Sequence, residues 1–236
     1  MTGNMSSIDE KLLATLHSLE GAPVYLEWLM SLIAPHLRGE IAEIGAGTGT
    51  MTGRLSEFGR VTAFEPSESS FEVLRDRYRD DGQIEVVRGG YEDVGRDKFD
   101  SALLSNVIEH IEDEAEALRT IWSALKPGGV VVVIAPAHAA LMSDFDRRIG
   151  HYRRYGAKPF ARRLEEAGFT SVSASYINPI GALGWFITAR VLRLDPTANR
   201  YLSHYDRFVI PVSRALTRVS AHVFGQSVVA VAYRGR

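Results

Sequence analysis

Cysteine is absent from the 236 residues of this chain, and lysine occurs only at Lys11, Lys98, Lys126 and Lys158. The lack of cysteine excludes disulfides, thiolate catalysis and cysteine-based zinc sites. The net charge is −2, so the chain lacks the basic surplus that general nucleic-acid binding requires. The longest apolar stretch, INPIGALGWFITA, is well short of the ~20 residues that span a bilayer.

The first residues, MTGNMSSIDEKLLATL, lack the basic start and apolar segment of a signal peptide. Hydrophobic residues make up 45% of the chain, which suits one large domain with a substantial core. We therefore expect a soluble cytoplasmic protein that acts as a monomer or homodimer, without nucleic acid as a partner.

Hydrophobic periodicity predicts an alternation of strands and helices after an N-terminal helical segment. Strands are predicted at 41–44, 60–64, 83–88, 99–105, 130–135, 171–176 and 227–232, and helices at 8–19, 23–37, 48–58, 67–79, 112–125 and 158–167. Alternating strands and helices predict an α/β fold, with a parallel sheet covered on both faces. The predicted parts are the N-terminal segment 1–38, a core sheet in 39–177 and 223–236, and a helical insertion at 178–222.

A glycine-rich turn follows the first predicted strand, in EIAEIGAGTGTMT at residues 40–52. Such a turn places bare backbone N–H groups and a helix N-terminus at a ligand. Dinucleotide-binding proteins need a third glycine where this chain has Thr50, so that pattern fails. What fits is an acid followed by alternating glycines: Glu43, Gly45, Gly47 and Gly49. An acid there suits a cationic ligand and repels a pyrophosphate.

A second acid supports the same conclusion. Glu65 ends the next predicted strand, in VTAFEPS, where a carboxylate accepts hydrogen bonds from both ribose hydroxyls. The two acids and the glycine turn together predict a nucleoside that is cationic and free of phosphate. S-adenosylmethionine has both properties.

With these residues in place, the chain resembles the class I S-adenosylmethionine-dependent methyltransferases. Five motifs stand in the family's order: AEIGAGTGT, AFEPS, VVRGGYEDV, LLSNVIEHI and LKPGGVVVV. The resemblance implies a Rossmann-like seven-stranded sheet with helices on both faces and an antiparallel last strand. NVIEHI together with DRRIGHYRRY is similar to one bacterial branch that methylates small molecules.

The resemblance also implies which residues hold S-adenosylmethionine. Glu43 and the turn from Gly45 to Gly49 would hold the methionine part, and Glu65 the ribose. Many relatives have aspartate where Gly90 stands, so Glu92 or Asp93 would take over adenine recognition. The implied cofactor residues are Glu43, Gly45, Ala46, Gly47, Gly49, Thr50, Glu65, Pro66, Gly90, Tyr91, Glu92 and Asn106.

Two polar residues that follow the fourth strand, Glu109 and His110, are candidates for the chemistry, since open α/β sheets bind ligands at the carboxyl ends of strands. His110 is expected to act as a base or substrate contact, or the pair caps a helix beginning near Ile111. A Glu-His pair also raises a divalent cation as a cofactor. No second ligand cluster stands at a convincing spacing, so the sequence favours no metal.

The segment SDFDRRIGHYRRY, residues 143–155, is expected to overhang the active site. His151 and Tyr152 are candidate catalytic or polar contacts. Its arginines predict a phosphate or carboxylate on the substrate, unless they are solvated or pair with Asp144 and Asp146. The full set of expected substrate-binding residues is Tyr25, Glu109, Arg147, Arg148, Arg153, Arg154, Tyr155 and Trp185.

The insertion has three functional interpretations besides simple packing onto the sheet. It forms an aromatic lid over an apolar substrate, a dimer surface, or an interfacial helix in peripheral contact with a membrane. The predicted function is methylation of a small molecule, such as a natural-product or prenyl intermediate with an anionic or polar group. The alternatives are a nucleic-acid or protein methyltransferase and a non-catalytic binding module.

Overall fold

The computed structural model describes residues 21–191 and 204–236. The helix predicted at 8–19 and part of the insertion therefore lie outside the described residues. The strands are β1 Gly39–Ile44, β2 Gly59–Glu65, β3 Ile84–Arg88, β4 Phe99–Ser105, β5 Leu125–Pro136, β6 Phe169–Ile177 and β7 Ser227–Arg234. The α-helices are α1 Pro23–Ile33, α2 Thr52–Leu55, α3 Glu68–Arg77, α4 Glu114–Ala124, α5 Asp144–Arg148, α6 Ala157–Glu166, α7 Pro179–Trp185 and α8 Ile210–Ser220.

The seven strands form one sheet in the order β3-β2-β1-β4-β5-β7-β6. Neighbouring strands from β3 through β5 pair in parallel, whereas β7 runs antiparallel to both β5 and β6. This confirms the predicted fold class and the antiparallel last strand. The chain leaves β1 towards β2 on one side and β4 lies on the other, so a ligand crevice is expected between the carboxyl ends of β1 and β4.

Strand β5 shows how the sheet divides the core. Its side chains alternate between two apolar clusters, with Val131 and Val133 in one and Val130 and Val132 in the other. All four are fully buried. Helices α4 and α6 cover the first cluster, and α1 covers the second. A run of valines therefore marks a central strand that is buried on both faces.

The helix predicted at 48–58 is wrong in extent, since only Thr52–Leu55 is α-helical. Gly47 and Gly49 have φ values of +58° and +88°, which a right-handed helix does not admit. The apolar periodicity extends through this segment, but the glycine conformations delay the helix to Thr52.

The insertion between β6 and β7 joins the N-terminal helix through a buried carboxylate. Asp206 is 2% exposed, and it accepts the backbone N–H groups of Val24 and Tyr25 at 2.9 and 2.8 Å. These are donors in the first turn of α1, which lack partners within the helix. The insertion therefore fixes the start of α1 against the sheet. Among the described residues, no helix has the length and apolar character needed to cross a membrane.

Candidate functional site

The glycine turn folds back onto the end of β2. The N–H groups of Gly45 and Ala46 both donate to the carbonyl of Phe64, at 2.8 and 3.0 Å. Gly45 has a φ of +68°, and a Cβ there would lie 2.5 Å from the Val107 side chain. Glycine is required at this position because both the backbone conformation and the space exclude a side chain. The same contact places the turn directly against the segment that follows β4.

Two buried carboxylates flank the turn at the ends of β1 and β2. Glu43 and Glu65 are each 5% exposed. Glu65 accepts the N–H groups of Gly47 and Ser67, both at 2.8 Å, and Thr52 donates its hydroxyl to Glu43 at 2.6 Å. Burial, together with the nearby charge of Glu65, raises the pKa of Glu43 to about 8. A cationic ligand would stabilise the ionised form of Glu43.

Two threonine hydroxyls in the turn have no hydrogen-bond partner among the described residues. The Oγ1 atoms of Thr48 and Thr50 are buried and have no hydrogen-bond partner within the described part of the chain. Buried hydroxyls without partners are uncommon and costly, so a polar ligand group is the expected partner. Thr50 was predicted as a cofactor contact, whereas Thr48 was not. In the sequence, only the position of Thr48 between two glycines indicates that it could contact a ligand.

The adenine candidates lie in a single turn of 3₁₀-helix, Tyr91–Asp93, after β3. Asp93 accepts the N–H of Gly90 at 2.9 Å, which commits that carboxylate to closing the turn. Glu92 is exposed and Tyr91 half-buried. Of the two acids considered for adenine recognition, Glu92 is therefore the one not committed to the turn.

Asn106 has a backbone conformation that few residues adopt. Its φ is +55°, and its N–H donates to the carbonyl of Ile134 at 2.8 Å. Asparagine tolerates this left-handed region better than most residues, and such conformations concentrate at ligand sites. Pro66 is exposed directly after Glu65, and Ala46 is buried in the glycine turn.

Glu109 and His110 form a 3₁₀ turn, Ile108–His110, after β4. The interpretation of this pair as a helix cap is wrong. Helix α4 begins at Glu114, and the side chain of Asp113 caps it by accepting the N–H of Glu116 at 2.9 Å. Burial raises the pKa of Glu109 to about 8. Burial and the neighbouring His151 lower the pKa of His110 to about 3, so its imidazole is neutral near pH 7.

The segment 143–155 brings His151 beside this turn. The His110 and His151 rings lie edge to face, with centroids 4.6 Å apart. Gly150, at φ +89°, lies beside His110, and a Cβ there would lie in ordinary contact, 3.5 Å from Nδ1 of His110. Tyr152 donates its N–H to the carbonyl of Glu109 at 2.8 Å. The two candidate histidines, distant in sequence, therefore share one site.

Asp146 organises this segment from inside the protein. It is fully buried and accepts hydrogen bonds from Nδ1 of His151 at 2.9 Å and from Arg154 Nη2 at 2.7 Å. Burial alone would raise the pKa of Asp146, but bonds from His151, Arg154 and Ser143 and the arginine charge outweigh it and lower the pKa to about 2. Sequence reasoning considered Asp146 only as a partner for arginines. The spacing of five residues between Asp146 and His151 matches no motif that predicts their contact.

The four arginines predicted to bind substrate have different surroundings. Arg154 is 7% exposed and held by Asp146, while Arg153 pairs with Glu114 at 3.2 Å. Arg147 pairs with Asp144 at the surface, and Arg148 is exposed. At least three of the four thus have carboxylate partners within the protein. These arginines are close together in sequence, but in the structure most of their charges are already paired with carboxylates.

The three remaining substrate candidates pack within the protein or at its edge. Tyr155 is 2% exposed, and its hydroxyl donates to Glu114 at 2.7 Å. Trp185 donates its indole N–H to the Leu141 carbonyl at 3.2 Å and stacks under the Arg154 guanidinium. Tyr25 is half-buried beside Trp28.

Comparison with known proteins identifies a methyltransferase domain in the chain. Residues 42–133 match the family described as "Methyltransferase domain". The chain is 31% identical over 103 residues to a ubiquinone/menaquinone biosynthesis C-methyltransferase of Vibrio parahaemolyticus, an alignment that covers 40% of each protein. It is 25% identical over 202 residues to a trans-aconitate 2-methyltransferase of Deinococcus radiodurans, covering 75% of this chain and 76% of that protein. The chain thus spans well under half the length of the quinone enzymes it matches.

Solved structures share the fold at low sequence identity. The YcgJ protein of a Bacillus species has a TM-score of 0.63 at 13% identity, covering 89% of this chain and 98% of that one. Phosphoethanolamine N-methyltransferase 2 of Haemonchus contortus, solved with S-adenosyl-L-methionine, has a TM-score of 0.59 at 17% identity and covers 85% and 49%. The matched methyltransferase domain and the sheet order together support a class I S-adenosylmethionine-dependent methyltransferase.

The residues present fit the cofactor of this class. Two buried carboxylates beside the turn suit a ligand with sulfonium and ammonium charges. The unpartnered hydroxyls of Thr48 and Thr50 offer hydrogen bonds to a polar group. The absence of a Cβ at Gly45 leaves the turn packed directly on Val107.

Proposed function

We propose that the chain transfers a methyl group from S-adenosylmethionine to a small-molecule acceptor. The observation that carries the proposal is the pair of buried carboxylates, Glu43 and Glu65, at the carboxyl ends of adjacent parallel strands. They enclose a glycine turn whose backbone leaves no room for a side chain at Gly45. A phosphate-bearing dinucleotide would meet two acids there, whereas a cationic nucleoside is favoured.

Each part of the cofactor has a proposed partner among the described residues. Glu43 and the turn hold the methionine part, and Glu65, oriented by Gly47 and Ser67, binds the ribose hydroxyls. Tyr91 and Glu92 frame the adenine.

The sulfonium of the bound cofactor supplies an activated methyl group. The chain's own task is to hold the acceptor atom about 3–3.5 Å from that methyl, in line with the leaving sulfur. A neutral imidazole can accept a proton from an acceptor that carries one. Burial keeps His110 unprotonated near pH 7, with a pKa of about 3 that makes it a weak base. His151 is held by Asp146 in the same place.

The acceptor proposed here has a polar reacting end and an apolar remainder. Apolar side chains at helical spacing remain exposed on both described parts of the insertion, at Leu183, Phe186, Ile187 and Val191 and at Phe208, Val212, Leu216 and Val219. These stripes support a prenyl or other lipid-type tail. The quinone biosynthesis enzyme among the relatives supports the same class. An anionic group finds less support, because Arg147, Arg153 and Arg154 have partners within the protein.

Calorimetry with S-adenosylmethionine tests the proposal through a matched pair of variants. Glu65→Ala is expected to weaken binding at least about tenfold, since ionic hydrogen bonds contribute about 1.5–3 kcal/mol. Glu68→Ala removes a nearby exposed glutamate that pairs with Arg88, and it should leave binding unchanged. Binding that survives Glu65→Ala at full strength would contradict the cofactor assignment. Release of S-adenosylhomocysteine in the presence of short-chain prenyl and quinone acceptors then tests transfer itself.

A further inference from the structure

Three side chains that can ligate a metal converge beside the proposed methyl-transfer site. Glu109, His110 and His151 each offer one ligand atom, and these atoms lie within 4.8 Å of one another. Nε2 of His151 is 3.8 Å from Oε1 of Glu109. The 3₁₀ turn after β4 supplies two of the residues and the segment after α5 supplies the third.

The buried carboxyl group of Glu109 points to a ligand. Glu109 is fully buried, and neither of its carboxyl oxygens has a hydrogen-bond partner within the described residues. A buried carboxylate is costly unless it is paired or coordinates a metal. Arg154, the nearby guanidinium, donates both Nε and Nη2 to Asp146 instead. Among the described residues, the two oxygens of Glu109 therefore have no hydrogen-bond donor, and Nε2 of His151 lies 3.8 Å from Oε1.

His151 is oriented as a ligand by a carboxylate behind it. Asp146 accepts from Nδ1 of His151 at 2.9 Å, so this nitrogen carries the proton and Nε2 presents its lone pair on the side of Glu109. A carboxylate behind a ligating histidine fixes the ring and raises its basicity, as is common around metals in proteins. Ser143 and Arg154 hold Asp146 in turn.

The backbone makes the convergence specific. Gly150 at φ +89° packs onto His110, and the N–H of Tyr152 donates to the carbonyl of Glu109 at 2.8 Å. His151 lies between these two contacts in sequence. The hydrogen bond from Tyr152 to Glu109 therefore holds the backbone next to His151 against the 3₁₀ turn.

We propose that Glu109, His110 and His151 bind a divalent transition-metal cation such as Zn²⁺, with its open coordination positions available to an oxygen of the methyl acceptor. One carboxylate and two imidazoles form a donor set that suits Zn²⁺ or Fe²⁺ better than Mg²⁺. A cation coordinated at about 2.0–2.2 Å needs its ligand atoms roughly 3.0–3.5 Å apart. Side-chain rotations that move each of these atoms by about 1 Å bring them to that spacing. Coordination of the acceptor's oxygen rests on the proposed function. Binding of the cation does not depend on it.

Calorimetric titration of chelator-treated protein with Zn²⁺ tests the site. The intact chain is expected to bind one equivalent, and Glu109→Gln and His151→Asn should each weaken binding by about 100-fold or more. His222→Asn, which removes an exposed histidine outside the cluster, should bind like the parent. Binding that is absent, or unchanged in both cluster variants, would overturn the proposal, and tighter binding of Mg²⁺ than Zn²⁺ would overturn the transition-metal assignment.

Circular dichroism and a parallel titration with S-adenosylmethionine separate the possible failures. If Glu109→Gln does not fold, His151→Asn decides, because the His151 side chain is 9% exposed whereas that of Glu109 is fully buried. Cofactor binding without Zn²⁺ binding would refute the metal site and leave the proposed function standing. Zn²⁺ binding without cofactor binding would support the site and refute the proposed function.

Discussion

The two halves of the candidate site are built in different ways. The half at the ends of β1 and β2 uses residues 43–52 and 65–67, whose contacts are made largely through backbone N–H groups. The half after β4 joins residues 109–110 to residues 146–154 through contacts between side chains and one backbone hydrogen bond, from Tyr152 to Glu109. A local, backbone-based site can be recognised as a motif. A site assembled from separate segments depends on packing that no motif records.

Breaking the buried ion pair in the second half should have the largest effect. Asp146→Ala is expected to lower the free energy of unfolding by about 3–5 kcal/mol, because it leaves Arg154 buried without its carboxylate. Asp144→Ala, two positions earlier, breaks an exposed pair with Arg147 and should have little effect. Urea denaturation measures both. Equal effects of the two variants would show that the segment does not depend on Asp146.

A pH-dependent contribution from Glu43 should come next in size. Glu43 has a pKa of about 8 when folded and 4.5 as a free side chain, so the folded state binds the extra proton between these values. The contribution of Glu43 to stability is complete below pH 4.5 and is lost as the pH rises through 8. The free energy of unfolding of the parent, relative to Glu43→Gln, should therefore fall by a few kcal/mol between pH 5 and pH 8.5.

The control for that comparison is Glu57→Gln, which alters an exposed glutamate near the same turn. Titrating groups common to the parent and both variants cancel in the difference. Denaturant titrations at four pH values across this range provide the measurement. A difference between parent and Glu43→Gln that stays flat with pH would contradict a protonated Glu43 in the chain without ligand.

Substitution in the glycine turn should have a smaller effect on stability and a direct effect on the cofactor. Gly45→Ala forces a side chain into positive φ and against Val107, at an expected cost of about 1–3 kcal/mol. The displaced turn should also bind S-adenosylmethionine more weakly. Gly82→Ala is the matched control, since a Cβ at Gly82 meets no atom within 4 Å. Thermal melts with and without the cofactor would reveal both effects, and identical melts for the two variants would contradict the steric argument.

Much of the fold followed from patterns within short windows. The valine run of β5 identified a central strand because both faces of that strand are buried. Phe99–Ser105 was predicted to the residue. The helix after the glycine turn was overextended, since periodicity does not reveal the positive φ values that delay it. Asp113 as the cap of α4 was missed because Glu109 and His110 stand just ahead of it in sequence.

By itself, the sequence determined the fold class, the glycine turn and the placement of Glu43 and Glu65 at the ends of neighbouring strands. Each of these depends on spacing along one or two neighbouring strands, where β geometry fixes which residues meet. Only the tertiary structure decided what the arginine-rich segment does. It buries Arg154 on Asp146, turns His151 towards Glu109, and leaves the buried carboxyl group of Glu109 without a hydrogen-bond partner in the described ranges. Those contacts depend on how two distant segments pack, because side-chain chemistry alone offers each arginine and histidine several equally good partners.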